Sequence, residues 1–136
     1  MAIDPKIRAF LEERRFAVLA TINSDATIQQ TVMWFQLQGD RIMMNTARGR
    51  VKDRNLLSNR NISICVEDDY RYVTIKGTAE LNEDPEQGQA DIKALATRYE
   101  GAEKAEQMVP EAFGKQHRVS IYLPLEKVDA HGFDGD

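Results

Sequence analysis

The chain has 136 residues, 42% of them hydrophobic and 29% charged, the balance of an ordinary globular domain with one core and little room for a second. Its net charge of −4 argues against a general nucleic-acid binder, and no apolar run approaches the roughly 20 residues that span a bilayer. The start, MAIDPKIRAF, carries acid early and lacks the apolar stretch of a secretory signal, and the lone Cys65 leaves no internal disulfide. A reducing cytoplasm is the expected setting, with neither membrane nor nucleic acid as a partner.

In chain order, Asp4 before Pro5 reads as a capped helix start, and Ile7, Phe10 and Leu11 give a short amphipathic helix to about Arg14. Phe16 to Ile22 reads as a buried strand, Asn23-Ser24-Asp25 as a turn, and Thr27 to Leu37 as one long, bent strand. Gly39-Asp40 turns the chain into a strand over Arg41–Thr46. After the loop Ala47–Arg50, Val51, Leu56 and Leu57 have helical spacing, and Asn59-Arg60-Asn61 breaks the helix. Ile62–Glu67 and Tyr72–Leu81 are two further strands, and Cys65 in the first of them is expected as a small buried hydrophobe. Pro85 opens a helix with Ile92, Leu95, Ala96 and Tyr99 on one stripe. A polar, Glu-rich segment follows to about Met108, and Arg118–Leu123 and Glu126–Asp129 close the chain as strands. The whole predicts a single domain, mainly β with helical decoration, built as an antiparallel barrel of about six strands rather than a parallel βαβ sheet.

Two segments have the makings of a binding site. From Arg48 to Arg60 five basic residues (Arg48, Arg50, Lys52, Arg54, Arg60) face a single acid, Asp53. There a strand ending in Thr46 runs through a Gly49 loop into a helix start, where free amides and the helix dipole favour an anion. Thr46 offers a hydroxyl, and Arg50 and Lys52 offer charge, although the same run also fits a solvated helix face. The second segment, Gln29 to Phe35, sets two amides beside alternating apolar and polar residues. Thr31, Val32 and Met33 could wall a flat ring and meet its polar edge, or form a plain strand with Trp34 in a core or dimer interface. His117 and His131 lack partners at metal-ligand spacing, so no metal is expected. No nucleophile motif or dinucleotide fingerprint is present. Hydride transfer to or from a flavin needs no dedicated protein nucleophile, because the cofactor carries the chemistry.

Taken together these segments resemble the pyridoxamine-phosphate-oxidase-like split-barrel family, and within it the small deazaflavin-dependent branch that uses coenzyme F420. The resemblance rests on Phe16–Ile22, Val32-Met33-Trp34-Phe35, Lys52-Asp53-Arg54-Asn55-Leu56, Ile75-Lys76-Gly77-Thr78-Ala79-Glu80-Leu81 and Arg118–Pro124, in that order. It implies a six-stranded antiparallel split β-barrel acting as a homodimer, with a flavin-type phosphate on Lys52 near Thr46 and Arg50. It places Asn55 in the same binding block and the ring along Gln30, Thr31, Val32 and Met33, with Tyr72 reaching the site from the second subunit. Arg48 and Arg54 either bind a deazaflavin's polyglutamate tail or face water. Family oxidases that bind flavin mononucleotide (FMN) and act on pyridoxamine phosphate usually carry Arg where Gln30 stands, and a C-terminal segment with Trp and Arg. This chain ends Val128-Asp129-Ala130-His131-Gly132-Phe133 before its last three residues. The difference favours an F420-dependent oxidoreductase passing hydride to an electron-poor conjugated small-molecule acceptor, with an FMN enzyme or a non-catalytic flavin- or haem-type binder as alternatives. Trp34 and Phe35 are the residues expected to be exposed for dimer pairing.

Overall fold

A computed structural model describes residues 3–133. Helix α1 (Pro5–Glu12) starts where Asp4 accepts a hydrogen bond from the Lys6 amide at 2.8 Å, with proline at its first position. Strands β1 (Ala17–Ile22), β2 (Ile28–Met33), β3 (Gln36–Gln38) and β4 (Arg41–Ala47) lead into helix α2 (Val51–Ser58). Strands β5 (Asn61–Asp68), β6 (Arg71–Thr78) and β7 (Glu80–Asn82) precede helices α3 (Pro85–Glu100) and α4 (Ala102–Glu111). A 3-10 turn at Phe113–Lys115 and strands β8 (Arg118–Pro124) and β9 (Lys127–His131) complete the order. No helix among the described residues is long and apolar enough to cross a membrane.

The strands form two antiparallel sheets, β2-β1-β5-β6-β9 and β3-β4-β8-β7. The described strands number nine, five in one sheet and four in the other, rather than about six. Seven segments read as strands in the sequence, and two interruptions divide them into nine. The long strand over Thr27–Leu37 divides at Trp34-Phe35, and the one over Tyr72–Leu81 divides at Ala79, whose amide bonds to the Arg60 carbonyl at 2.7 Å. At the first break Phe35 dives into the core and is fully buried. Its amide donates to the Tyr99 hydroxyl at 3.1 Å instead of to a neighbouring strand. Trp34 lies flat on the Tyr99 ring, 5.2 Å between centroids, and is only half-buried. The expectation that Phe35 stands exposed is therefore overturned, since its ring is in the core, while Trp34 keeps part of its surface accessible against the Tyr99 ring.

The inner faces of the sheets meet in one core, where Leu19, Ile64 and Ile75 oppose Met44, Ile121 and Leu123. Each such side chain, fully buried, contributes about 1.5–3 kcal/mol through removal from water. Helix α3 covers the other face of the four-stranded sheet, packing Ile92, Leu95 and Tyr99 on Met43 and Tyr122. Its start repeats the capping of α1, with Asp84 accepting from the Glu86 amide at 3.1 Å. The Glu-rich segment beyond it is a second helix, α4, set off by Gly101 at φ +92° and held by the buried Ala105. Phe16 is not part of the buried strand; it is 57% exposed and stacks on Tyr99. Cys65 is half-buried, on the outward face of the five-stranded sheet, rather than in the core.

Candidate functional site

The loop from β4 into α2 is tied from several sides. Gly49 sits at φ +96°, a conformation that favours glycine, and its amide donates to the buried Asp53 carboxylate at 2.8 Å. Asp53 also pairs with the Arg48 Nε at 3.3 Å, and Arg48 reaches Glu83 at 2.7 Å. Arg54 donates back to the Gly49 carbonyl. Arg48 and Arg54, the two cations left open between a tail and solvent, are both engaged in holding this loop. The Arg48 pairing holds the Glu83 carboxyl below its usual range.

Lys52 has a different character. It is only 9% exposed, and among the described residues no hydrogen bond or ion pair meets its ammonium. Burial first, then the charges of Arg50 and Arg118, push it below the ordinary lysine value. Thr46 is buried two residues before the loop turns, and its Oγ1 has no hydrogen-bond partner. A largely buried lysine without a counter-charge and an orphaned hydroxyl, flanking a helix start, are the unmet half of an anion site. Arg50 lies exposed at the N-cap of α2, and among the described residues no carboxylate pairs with it.

Asn55 faces inward from α2, where its amide donates to Thr21 at 3.0 Å and to Asn23 at 2.8 Å. Thr21 in turn donates to Gln29 on β2 at 3.0 Å. Asn55 thus couples the cationic helix to the strand expected to carry the ring. On β2, the free edge of its sheet, Gln30 and Val32 point outward while Met33 is buried. Thr31 lies between, its Oγ1 buried and unpaired. Tyr72 stands on β6, separated from β2 by β5 and β1, half-exposed and stacked on His131 at 5.1 Å.

One cation that sequence reasoning missed stands next to this group. Arg118 opens β8 yet is 3% exposed, its Nε on Asn45 Oδ1 at 2.8 Å and a terminal nitrogen on Gln116 at 2.7 Å. Burial and then Arg50 lower its pKa to about 10. The sequence signal was weak: an arginine heading an apolar strand. Among the described residues no three His, Cys, Asp or Glu gather as for a metal. The set Thr46, Arg50 and Lys52, with a sheet edge nearby, suits a ligand with an anionic end and a flat polar-edged body.

Comparison with known proteins gives this arrangement a lineage. The sequence profile described as pyridoxamine 5'-phosphate oxidase matches residues 3–131. Among solved structures, one described as an F420 reductase is 28% identical, covering 90% of this chain and 94% of its own, with a TM-score of 0.72. A conserved hypothetical protein from Mycobacterium tuberculosis is 26% identical over 96% of this chain and 84% of its own, with a TM-score of 0.80. General stress protein 26 from Bacillus anthracis, 18% identical over 92% of this chain and 90% of its own, shares the fold at a TM-score of 0.67. No curated protein matches the chain. With nearly its whole length matched, the chain belongs to the pyridoxamine 5'-phosphate oxidase family.

Proposed function

We propose that this protein is an oxidoreductase that binds the deazaflavin coenzyme F420 and serves hydride transfer to an electron-poor conjugated acceptor. The observation that carries the reading is Lys52, a largely buried side chain with no counter-charge among the described residues, on the helix start that follows the strand end bearing the orphaned Thr46 hydroxyl. Lys52, Thr46 and Arg50 hold the coenzyme's phosphate. The β2 edge, through Gln30, Thr31, Val32 and Met33, lies against its ring. When bound, the coenzyme supplies a two-electron hydride donor, and the chain's own residues orient it and exclude water. The 28% identity to an F420 reductase supports this branch. FMN is the alternative ligand, since a single phosphate also satisfies Lys52.

Calorimetric titration with each cofactor separates the two. F420 is expected to bind more tightly than FMN. Its affinity should fall with salt, because an exposed polyanionic tail is screened over about 8–10 Å at ordinary ionic strength. Tighter FMN binding at every salt concentration assigns the site to FMN instead.

The site is completed in a homodimer. The outward face of the five-stranded sheet carries the rows Val32-Val18-Cys65 and Ile28-Ile22, and Ile28 and Val32 are each 66% exposed. A second copy covers this apolar face and brings its Tyr72 toward β2, which Tyr72 of the same chain does not adjoin. Sedimentation at micromolar concentration should show a dimer, and the Ile28→Asp/Val32→Asp double variant should shift it to monomer. A monomeric wild-type protein removes both the interface and the shared site.

A further inference from the structure

Beyond the end of β2 a cleft of about 270 Å³ opens between that strand and helices α3 and α4. Its walls are apolar and aromatic, from Val32, Trp34, Ile92, Leu95 and Phe113, while Asn45, Arg50 and Arg118 supply its polar lining. The volume suits a small ligand, just below the usual range for drug-sized sites of roughly 300–1,000 Å³. Trp34 is held flat by Tyr99, so it presents a fixed aromatic face.

The polar lining is rigid and carries positive charge. Arg118 leans over the Phe113 ring at 5.2 Å, and among the described residues no carboxylate pairs with it. The amide of Asn45 that receives its Nε is itself oriented, because Asn45 Nδ2 donates to the Gly88 carbonyl at 3.0 Å. Behind Asn45 the Ser120 hydroxyl, 3.5 Å from Nδ2, donates to Asp91 at 2.6 Å. Asp91 is fully used, since it also accepts from Tyr122 at 2.6 Å and from Gln87 at 3.0 Å. The nearest buried acid in this chain of bonds therefore supports Arg118 through Asn45 and Ser120 without neutralising it. A guanidinium so placed matches a carboxylate's planar fork.

We propose that this cleft is a binding subsite for a planar conjugated carboxylate, its ring between Trp34 and Phe113 and its carboxylate on Arg118 within the field of Arg50. The subsite rests on the oxidoreductase reading for its ligand being the hydride acceptor, but not for its being bound.

trans-Cinnamate and its uncharged amide, cinnamamide, serve as probes in calorimetry at low salt without phosphate. Cinnamate should bind the wild-type protein at least about tenfold more tightly than cinnamamide, a difference of roughly 1.4 kcal/mol. Arg118→Gln, which can still bond Asn45, should erase that preference. Equal binding of the two probes, or binding of neither, overturns the proposal without recourse to any variant. So does displacement of cinnamate by saturating F420 or FMN, which would make the cleft part of the cofactor's own site. If cinnamate binds through Arg118 while neither cofactor binds at all, the subsite stands and the oxidoreductase reading fails.

Discussion

Lys52→Ala is expected to weaken cofactor binding by roughly 10- to 150-fold, the equivalent of about 1.5–3 kcal/mol for a charge-assisted hydrogen bond. Stability should hold or rise slightly. The Lys52 ammonium lies in the field of Arg50 and Arg118 with no acid paired to it among the described residues, so its removal relieves like-charge repulsion. Calorimetry and a thermal melt on the same preparation decide the matter: unchanged binding with a lowered Tm makes Lys52 a structural residue. The same electrostatics set the pH dependence. Lys52 titrates below its ordinary 10.5, and Arg118 is lowered to about 10. Affinity for an anion should therefore be flat through neutrality and fade as pH rises through these lowered values. Both groups bind protons less tightly folded than unfolded. The stability of the ligand-free protein should thus rise with pH, for Lys52 between its lowered value and 10.5, and for Arg118 from about 10 up to the ordinary arginine value.

Gly88→Ala should be the most disruptive small substitution in the chain. A Cβ at this α3 position would lie 2.0 Å from the Arg118 carbonyl oxygen and 2.6 Å from its carbon, so backbone rather than a side-chain tip would have to move. Overpacking usually costs 1–3 kcal/mol, and with backbone on both sides about 3 kcal/mol or more is expected, a fall in Tm of roughly 10 °C. Gly77→Ala is the control, since its Cβ would meet only Leu123 Cδ1 at 3.4 Å, close to ordinary contact. Equal melting temperatures for the two variants would mean that α3 does not approach β8 so closely. The Gly88 carbonyl also orients Asn45, and through it Arg118, so the Gly88 variant should lose the cinnamate preference along with stability.

The elements with local signatures were legible in the sequence: the Asp-Pro starts of α1 and α3, the Gly39-Asp40 turn, and the strand-loop-helix passage around Gly49. What escaped depends on partners far along the chain. Nothing near Trp34-Phe35 announces a break, because the hydroxyl that receives the Phe35 amide belongs to Tyr99, 64 residues away. Lys52 reads as a surface cation on a polar helix, and its burial follows from the packing of α2 into the sheets. Arg118 gave little signal because its role depends on Asn45, 73 residues earlier. Arg48 and Arg54 were indistinguishable from Arg50 by spacing alone, and only Asp53, Glu83 and the Gly49 carbonyl separate the two engaged cations from the free one.

The bonds from Asn55 to Thr21 and from Thr21 to Gln29 join α2, β1 and β2 side chain to side chain, at 3.0 Å each. They act as a gauge of length. If the proposed function holds, these bonds keep the helix start that would grip an anion at a set distance from the edge that would carry a ring, so the spacer between a ligand's two ends has to match a separation built into the protein. A cofactor with the right head and the right anion but a shorter or longer spacer would have to give up one contact to keep the other.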